Sequence, residues 1–366
     1  MAYYEKSRIW IQTSHNLEKP AMAKTRYACF ALLVAVILLP SVSNAQNKIV
    51  AADAKVELVF GGGAVLTEGV AAGHDGMMYF SDITFTNQTK DKNGVSPAGH
   101  IWRYNPKNGK TTIFRSPSGM SNGIKFDAAG NMIVAEGADF GGRRVTRTDM
   151  KTGKTYIIAG LFEGRPFNAP NDITIDKKGR IYFSDPRYLG HEAIDQPVMA
   201  VYRIDPNGKI HRIITDAGKP NGVSISPDQK TMYVVSNDNG SFGIQRLGPD
   251  VPTLKGRMAL MAYDLSPKGT AKFRKILVDY APQDGPDGLI CDEDGNLYVA
   301  VRDETRPGIY CYSPQGKELA YIKTEVPTNV GFGRGKERKT LYITAGKSLY
   351  RIRLNKRGYQ LPEVKK

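Results

Sequence analysis

Cysteine, histidine and tryptophan are scarce in this sequence: three, five and two residues among 366. No CxxC and no Cys/His cluster occurs, so nothing marks a structural zinc site. Beyond residue 45 only Cys291 and Cys311 remain, each within a strand-like run (LICDED and IYCYSP). They are either one disulfide or two buried thiols. Long apolar runs are also missing. The stretch Ala28–Leu39 is too short to span a bilayer. The net charge is +15, yet Lys and Arg are scattered without a basic run or helical stripe. That distribution reads as solubility and loose attraction to anionic surfaces, and it excludes nucleic acid as a partner.

The first 45 residues have the pattern of a secretory leader. Lys24 and Arg26 precede the apolar run, and Pro40 and the small residues Ser43, Asn44 and Ala45 follow it, which places cleavage after Ala45. Residues 1–21, ahead of the internal Met22, are either an overextended start or a long basic region. Cleavage removes five cationic and two anionic side chains, so the charge falls from +15 to about +12. The remaining 46–366 is expected to be one domain, exported to the periplasm or the medium and not inserted in a membrane.

What the chain has in abundance is a repeated hairpin. In Pro170–Pro186 (PNDITIDKKGRIYFSDP), Asn171 opens an alternating run and a charged turn closes at Gly179. A second apolar strand then ends at Asp185. With Tyr182 as anchor, equivalent second strands lie around Tyr79, Ile133, Tyr233, Tyr298 and Tyr342, at spacings of 54, 49, 51, 65 and 44 residues. This is a propeller-blade period. Each unit continues with a third strand and a polar turn, as in AVYRIDPNG (200–208). The first five units add a fourth strand, as in HRIITD.

Six units of four antiparallel strands make an all-β, six-bladed β-propeller. The last unit lacks a fourth strand before a polar tail. Val56–Phe60 (VELVF) is expected to supply it and close the ring.

Counting back 11 to 13 residues from each anchor gives Glu68, Asn122, Asn171, Asn221, Asp287 and Asn329. Propeller geometry puts all six around one mouth of the central channel. The loops Thr84–Gly99, Pro186–Met199 and Asn237–Ala259 come to the same face and are expected to wall a pocket. Carboxylates and amide carbonyls without His or Cys form a hard-oxygen set, suited first to Ca²⁺, with Mg²⁺, Mn²⁺ or Zn²⁺ as alternatives. A single Asn before Gly or Asp also serves simply as a turn-maker. Two carboxylates converging on an enclosed axis call for a cation or a proton between them.

The motifs TEG (67–69), SNGIKFD (121–127), RRVTRTD (143–149), PNDITIDKKGRIYFSDP, PNGVSIS (220–226), GPDGL (285–289) and TLYITAGKSLYRI (340–352) resemble the SMP-30/gluconolactonase/LRE family over about Leu66–Leu354. The resemblance implies a single divalent ion on Glu68, Asn171, Asn221 and Asp287, with Asp287 also the acid/base. It leaves Asn122, Asp172 and Asn329 to substrate contact or to support behind the ligands. The first copy departs from the family pattern, opening as TEGV without the common Pro.

Arg165 is a further candidate for substrate contact, and Tyr188 and Phe167 for a stacking face. His74 falls in a charged turn and reads as a surface residue. His100 and His191 sit in or beside upper loops.

Two function classes follow. One is a metal-dependent hydrolase opening a sugar lactone, or another ester or phosphotriester, in which the cation polarises the carbonyl and Asp287 handles the proton. A Ser/His/Asp route through a nucleophile elbow is not expected. The other is a non-catalytic exported propeller that binds a sugar or a protein over the same pocket with a structural ion.

Overall fold

The computed structural model of the chain describes Gln46, residues 48–241 and residues 254–361. The expected leader, 1–45, lies outside the described residues.

Local chemistry explains the hairpins. In the turn joining Ile173–Ile175 to Ile181–Asp185, Asp176 Oδ1 accepts from the N–H groups of Lys178 and Arg180 at 2.9 and 3.0 Å. Gly179 sits at φ 76°, where a side chain would be strained. Asp127 and Asp292 hold their own turns in the same way. The anchor tyrosines complete the unit. Tyr79, Tyr182, Tyr298 and Tyr342 are buried, and their hydroxyls donate to Asp75, Asp176, Asp292 and Glu337 at 2.7 to 3.1 Å. A phenylalanine there would fill the space but leave the turn carboxylate without that donor.

Six four-stranded antiparallel sheets result. Their innermost strands are Leu66–Ala72, Ser121–Phe126, Ile173–Ile175, Pro220–Ile225, Pro286–Cys291 and Pro327–Phe332. These lie side by side around the channel so closely that a Cβ on Gly222 would stand 2.3 Å from the carbonyl oxygen of Asp287 in the next blade. The apolar faces of neighbouring blades pack together between the sheets, as where Phe183 and Tyr202 of the third blade meet Ile133 and Val145 of the second.

The ring closes as expected. Glu57–Phe60 pairs antiparallel with Ser348–Arg353, Glu57 opposite Arg351 and Phe60 opposite Leu349, as the outer strand of the sixth blade. The closure extends further upstream than the strand pattern showed. The Gln46 side chain bonds the backbone of Tyr321 in both directions, and Ile49 and Val50 are buried between the fifth and sixth blades.

The polar tail also has a defined place. Tyr359 N donates to Cys291 O at 3.1 Å, the Gln360 amide reaches Phe332 O and Gly333 O, and these residues line the far end of the channel. Cys291 and Cys311 are both free and buried, and burial pushes each thiol up to about 12.

Candidate metal centre

The repeat position sits on a β-bulge. Strand register slips between Glu68 and Val70, Ser121 and Ile124, Pro220 and Val223, Pro286 and Leu289, and Pro327 and Asn329. In the third blade Ser184 bonds both Asn171 N and Asp172 O through its backbone, the same two-against-one arrangement. An extra residue on one strand bends it and re-aims a side chain. Here it turns the polar residue toward the channel mouth while the apolar alternation continues below.

Glu68, Asn122, Asn171, Asn221 and Asp287 meet in one cavity of about 410 Å³. All three long loops wall it, through Phe85, through Tyr188 and Leu189, and through Asn237, Asn239 and Ser241. Asn329 does not face this space. Its amide nitrogen lies 3.4 Å from Glu68 Oε2, which places it behind that carboxylate and outside the cavity lining.

Asp172 likewise lies outside the cavity lining. It is fully buried and its Oδ2 accepts from Val223 N at 3.0 Å. It occupies the place that Gly69, Gly123, Gly222 and Gly288 hold in other blades, and its side chain reaches across to the next inner strand.

Arg165 is not brought to the pocket either. It sits exposed on a small hairpin, Leu161–Phe162 with Arg165–Pro166, and bonds Asp195 O. Phe167 is wholly buried against Phe183 and Tyr202, a core residue and no stacking face. His74 is exposed, as expected for a turn residue. His100 bonds Ser116 and leans on Trp102, outside the pocket lining.

The string Gly119-Met120-Ser121-Asn122-Gly123 does spell G-x-S-x-G, contrary to the expectation that no elbow motif is present. Its context removes the chemistry. Ser121 is buried within an inner strand, donates to His100 O, and no helix follows.

Arg302 escaped the sequence reading, and Tyr188, expected as a stacking face, enters the site through its hydroxyl. Arg302 Nη1 stands 3.2 Å from Asp287 Oδ2. The Tyr188 hydroxyl accepts from Asn221 Nδ2 at 3.2 Å and donates to Asn237 O at 2.9 Å. A signal for Arg302 was present four residues after the anchor Tyr298, the position that Asn237 holds after Tyr233 in the fourth blade.

The electrostatics follow from crowding. Burial first, and then the charge of Asp287, hold the Glu68 carboxyl well above the ordinary range, against the Gly69 N–H that bonds it. Burial pushes Asp287 up to about 6; the Arg302 guanidinium opposes this and the Asp172 carboxylate adds to it.

Three oxygens in or beneath this cavity, Asn122 Oδ1, Asn221 Oδ1 and Asp172 Oδ1, are buried without a hydrogen-bond donor. Buried acceptors without donors next to mutually repelling carboxylates fit a hard cation. Among the described residues no three His, Cys, Asp or Glu side chains gather as a metal-binding group, so an ion here would have to take amide oxygens as well.

The model of the SMP-30/Gluconolactonase/LRE-like region matches residues 66–347. The chain belongs to that family. A gluconolactonase of Zymomonas mobilis is 29% identical over 279 residues, 70% of this chain and 73% of that one. A diisopropyl-fluorophosphatase of Loligo vulgaris is 27% identical over 269 residues, 68% and 77% of the two chains. Among solved structures, the calcium-binding protein regucalcin of Agrobacterium tumefaciens superposes with a TM-score of 0.63 at 18% identity, covering 86% of this chain and 98% of its own. At that identity the likeness shows the fold alone.

Proposed function

We propose that this member of the SMP-30/gluconolactonase/LRE-like family is a metal-dependent hydrolase that opens the ring of a sugar lactone, with calcium as the ion and Asp287 as the acid/base. The observation that carries the reading is the pairing of donor-free Asn122 and Asn221 carbonyl oxygens with the Glu68 and Asp287 carboxylates in one pocket. The gluconolactonase relative supports the substrate class.

In this reading Glu68, Asn171, Asn221 and Asp287 hold the ion, and Tyr188 fixes the Asn221 amide so that its oxygen faces inward. The ion, when bound, supplies positive charge that polarises an ester carbonyl. Asp287 takes a proton from the attacking water and returns it to the ring oxygen as the acyl C–O bond breaks, giving the open hydroxy acid. Arg302 holds the Asp287 carboxylate in place. Leu66, Ile83 and Met120 form an apolar wall, while Asn237, Asn239 and Ser241 offer partners to substrate hydroxyls.

The experiment is pH-stat hydrolysis of a lactone panel with and without a chelator, followed by return of calcium. Chelator-sensitive turnover restored by calcium supports the reading. Binding of lactones without turnover would move the non-catalytic propeller ahead. A phosphofluoridate in the panel tests the second reading, which the Loligo relative favours. The leader-like pattern of residues 1–45 supports a place outside the cytoplasm, and a mature N-terminus at Gln46 is its check.

A further inference from the structure

A second cavity, of about 480 Å³, adjoins the first at Met120, which faces both. Its wall is polar at Thr86, Asn87, Lys90 and Ser96 and aromatic at Phe140 and His191. Phe140 is 66% exposed, and its ring stacks on His191 with centroids 5.0 Å apart and planes 26° from parallel.

The backbone here is strained in an unusual concentration. Among the described residues seven other than glycine have positive φ; two of them, Met120 and Phe140, line this cavity, and Phe85 and Asp139 are the chain neighbours of its lining residues Thr86 and Phe140. Such conformations persist only where the surroundings over-determine them, and they gather at functional sites.

The surroundings here are specific. The Asp139 carboxylate accepts from Thr86 N and Thr86 Oγ1 at 2.7 and 2.8 Å. The Glu192 carboxylate accepts from Asp139 N and Phe140 N at 3.1 and 2.6 Å, and buried Arg187 stands 3.3 Å behind it. Three loops are thus tied together with the effect of presenting an aromatic ring to water beside the pocket.

We propose that this second cavity is a subsite for a further sugar ring, so that the substrate is the lactone of a glycosylated aldonic acid and not of a free monosaccharide. This rests on the lactone reading of the adjoining pocket. The axial C–H bonds on one face of a pyranose carry slight positive charge and pack on the negative face of an aromatic ring. Around that platform the Asn87 amide can both donate and accept, and the Thr86 and Ser96 hydroxyls, whose own protons go to Asp139 and to Thr86 O, can accept from sugar hydroxyls.

The test compares kcat/KM for glucono-1,5-lactone and for the lactone of cellobionic acid in the wild type, Phe140→Ala and Phe140→Tyr. The wild type is expected to favour the disaccharide lactone at least tenfold, chiefly through KM. Phe140→Ala should abolish the preference and leave the monosaccharide lactone unchanged, while Phe140→Tyr keeps it. Equal kcat/KM for both lactones in the wild type, or an equal loss on both in Phe140→Ala, overturns the proposal. If neither lactone is hydrolysed, the lactone reading alone has failed, and calorimetric titration with methyl β-cellobioside decides the subsite. Binding weakened in Phe140→Ala sustains it; a wild type that does not bind removes it.

Discussion

Nη1 of Arg302 lies 3.2 Å from Oδ2 of Asp287 and 3.4 Å from the carbonyl oxygen of Pro327, tying the fifth-blade carboxylate to the start of the sixth inner strand. The pair sets one Asp287 oxygen on a permanent cation and leaves the other for the pocket. That arrangement makes the two roles proposed for Asp287, ligand and proton carrier, separable by experiment.

Asp287→Asn keeps an oxygen that can coordinate a cation but cannot take a proton at neutral pH. Because general acid/base help is worth about 10² to 10⁴ in rate, kcat should fall at least a hundredfold. Calcium affinity should fall far less. Steady-state kinetics over a calcium series check this: full recovery of turnover at high calcium would leave Asp287 a ligand only.

In the proposed site Glu68→Gln removes a carboxylate that would hold the ion, and because ion binding would add to the stability of the folded state, a calcium-dependent rise in Tm should shrink. Differential scanning calorimetry across calcium concentrations reads it directly. Identical melting of variant and wild type at every concentration would take Glu68 out of the site.

The Tyr188 hydroxyl is the donor-side partner that orients Asn221. Tyr188→Phe frees the amide to turn its nitrogen inward, and loss of such a supporting partner typically costs about 10- to 100-fold in metal affinity. Calcium titration of the folded variant measures it, and an unchanged affinity would show that the channel orients Asn221 without help.

Residues 46–60 carry the strand that closes the ring and the Ile49–Val50 contact beneath it. Deleting them opens the edge of Ser348–Arg353 and strips one side of the sixth blade, so the truncated chain should aggregate. Size-exclusion chromatography and thermal melting decide the matter; a soluble truncation that unfolds cooperatively would mean the ring closes without this strand.

Burial pushes the Asp185 carboxyl up to about 7, against the Asn168 and Ala169 N–H groups that bond it. The folded protein holds a proton there that the unfolded chain gives up near pH 4. The associated stability is complete below about pH 4 and is lost as pH rises through about 7. Tm of the calcium-saturated protein should therefore decline across that window. Asp185→Asn, which does not ionise, should flatten the decline, and parallel pH profiles for the two proteins would refute the assignment.

The six-blade count, the closing strand and the six polar positions were all legible in the sequence, because blade, turn and bulge are local patterns that recur at a near-constant spacing. Repetition turned a weak signal at Asn122 or Asn221 into a strong one. The second neighbours of the site were not legible in the same way.

Arg302 reaches Asp287 from the adjacent strand, Tyr188 reaches Asn221 from another blade, and Asp172 bonds Val223 in the next blade. None of these pairs has a fixed spacing. Arg165, close in sequence to Asn171, points instead to Asp195 on the rim. Chain order determined which residues enter the inner strands. Only the closing of the ring decided which side chains from different blades share one low-dielectric space, since contact across blades depends on strand tilt and loop packing that no local pattern encodes.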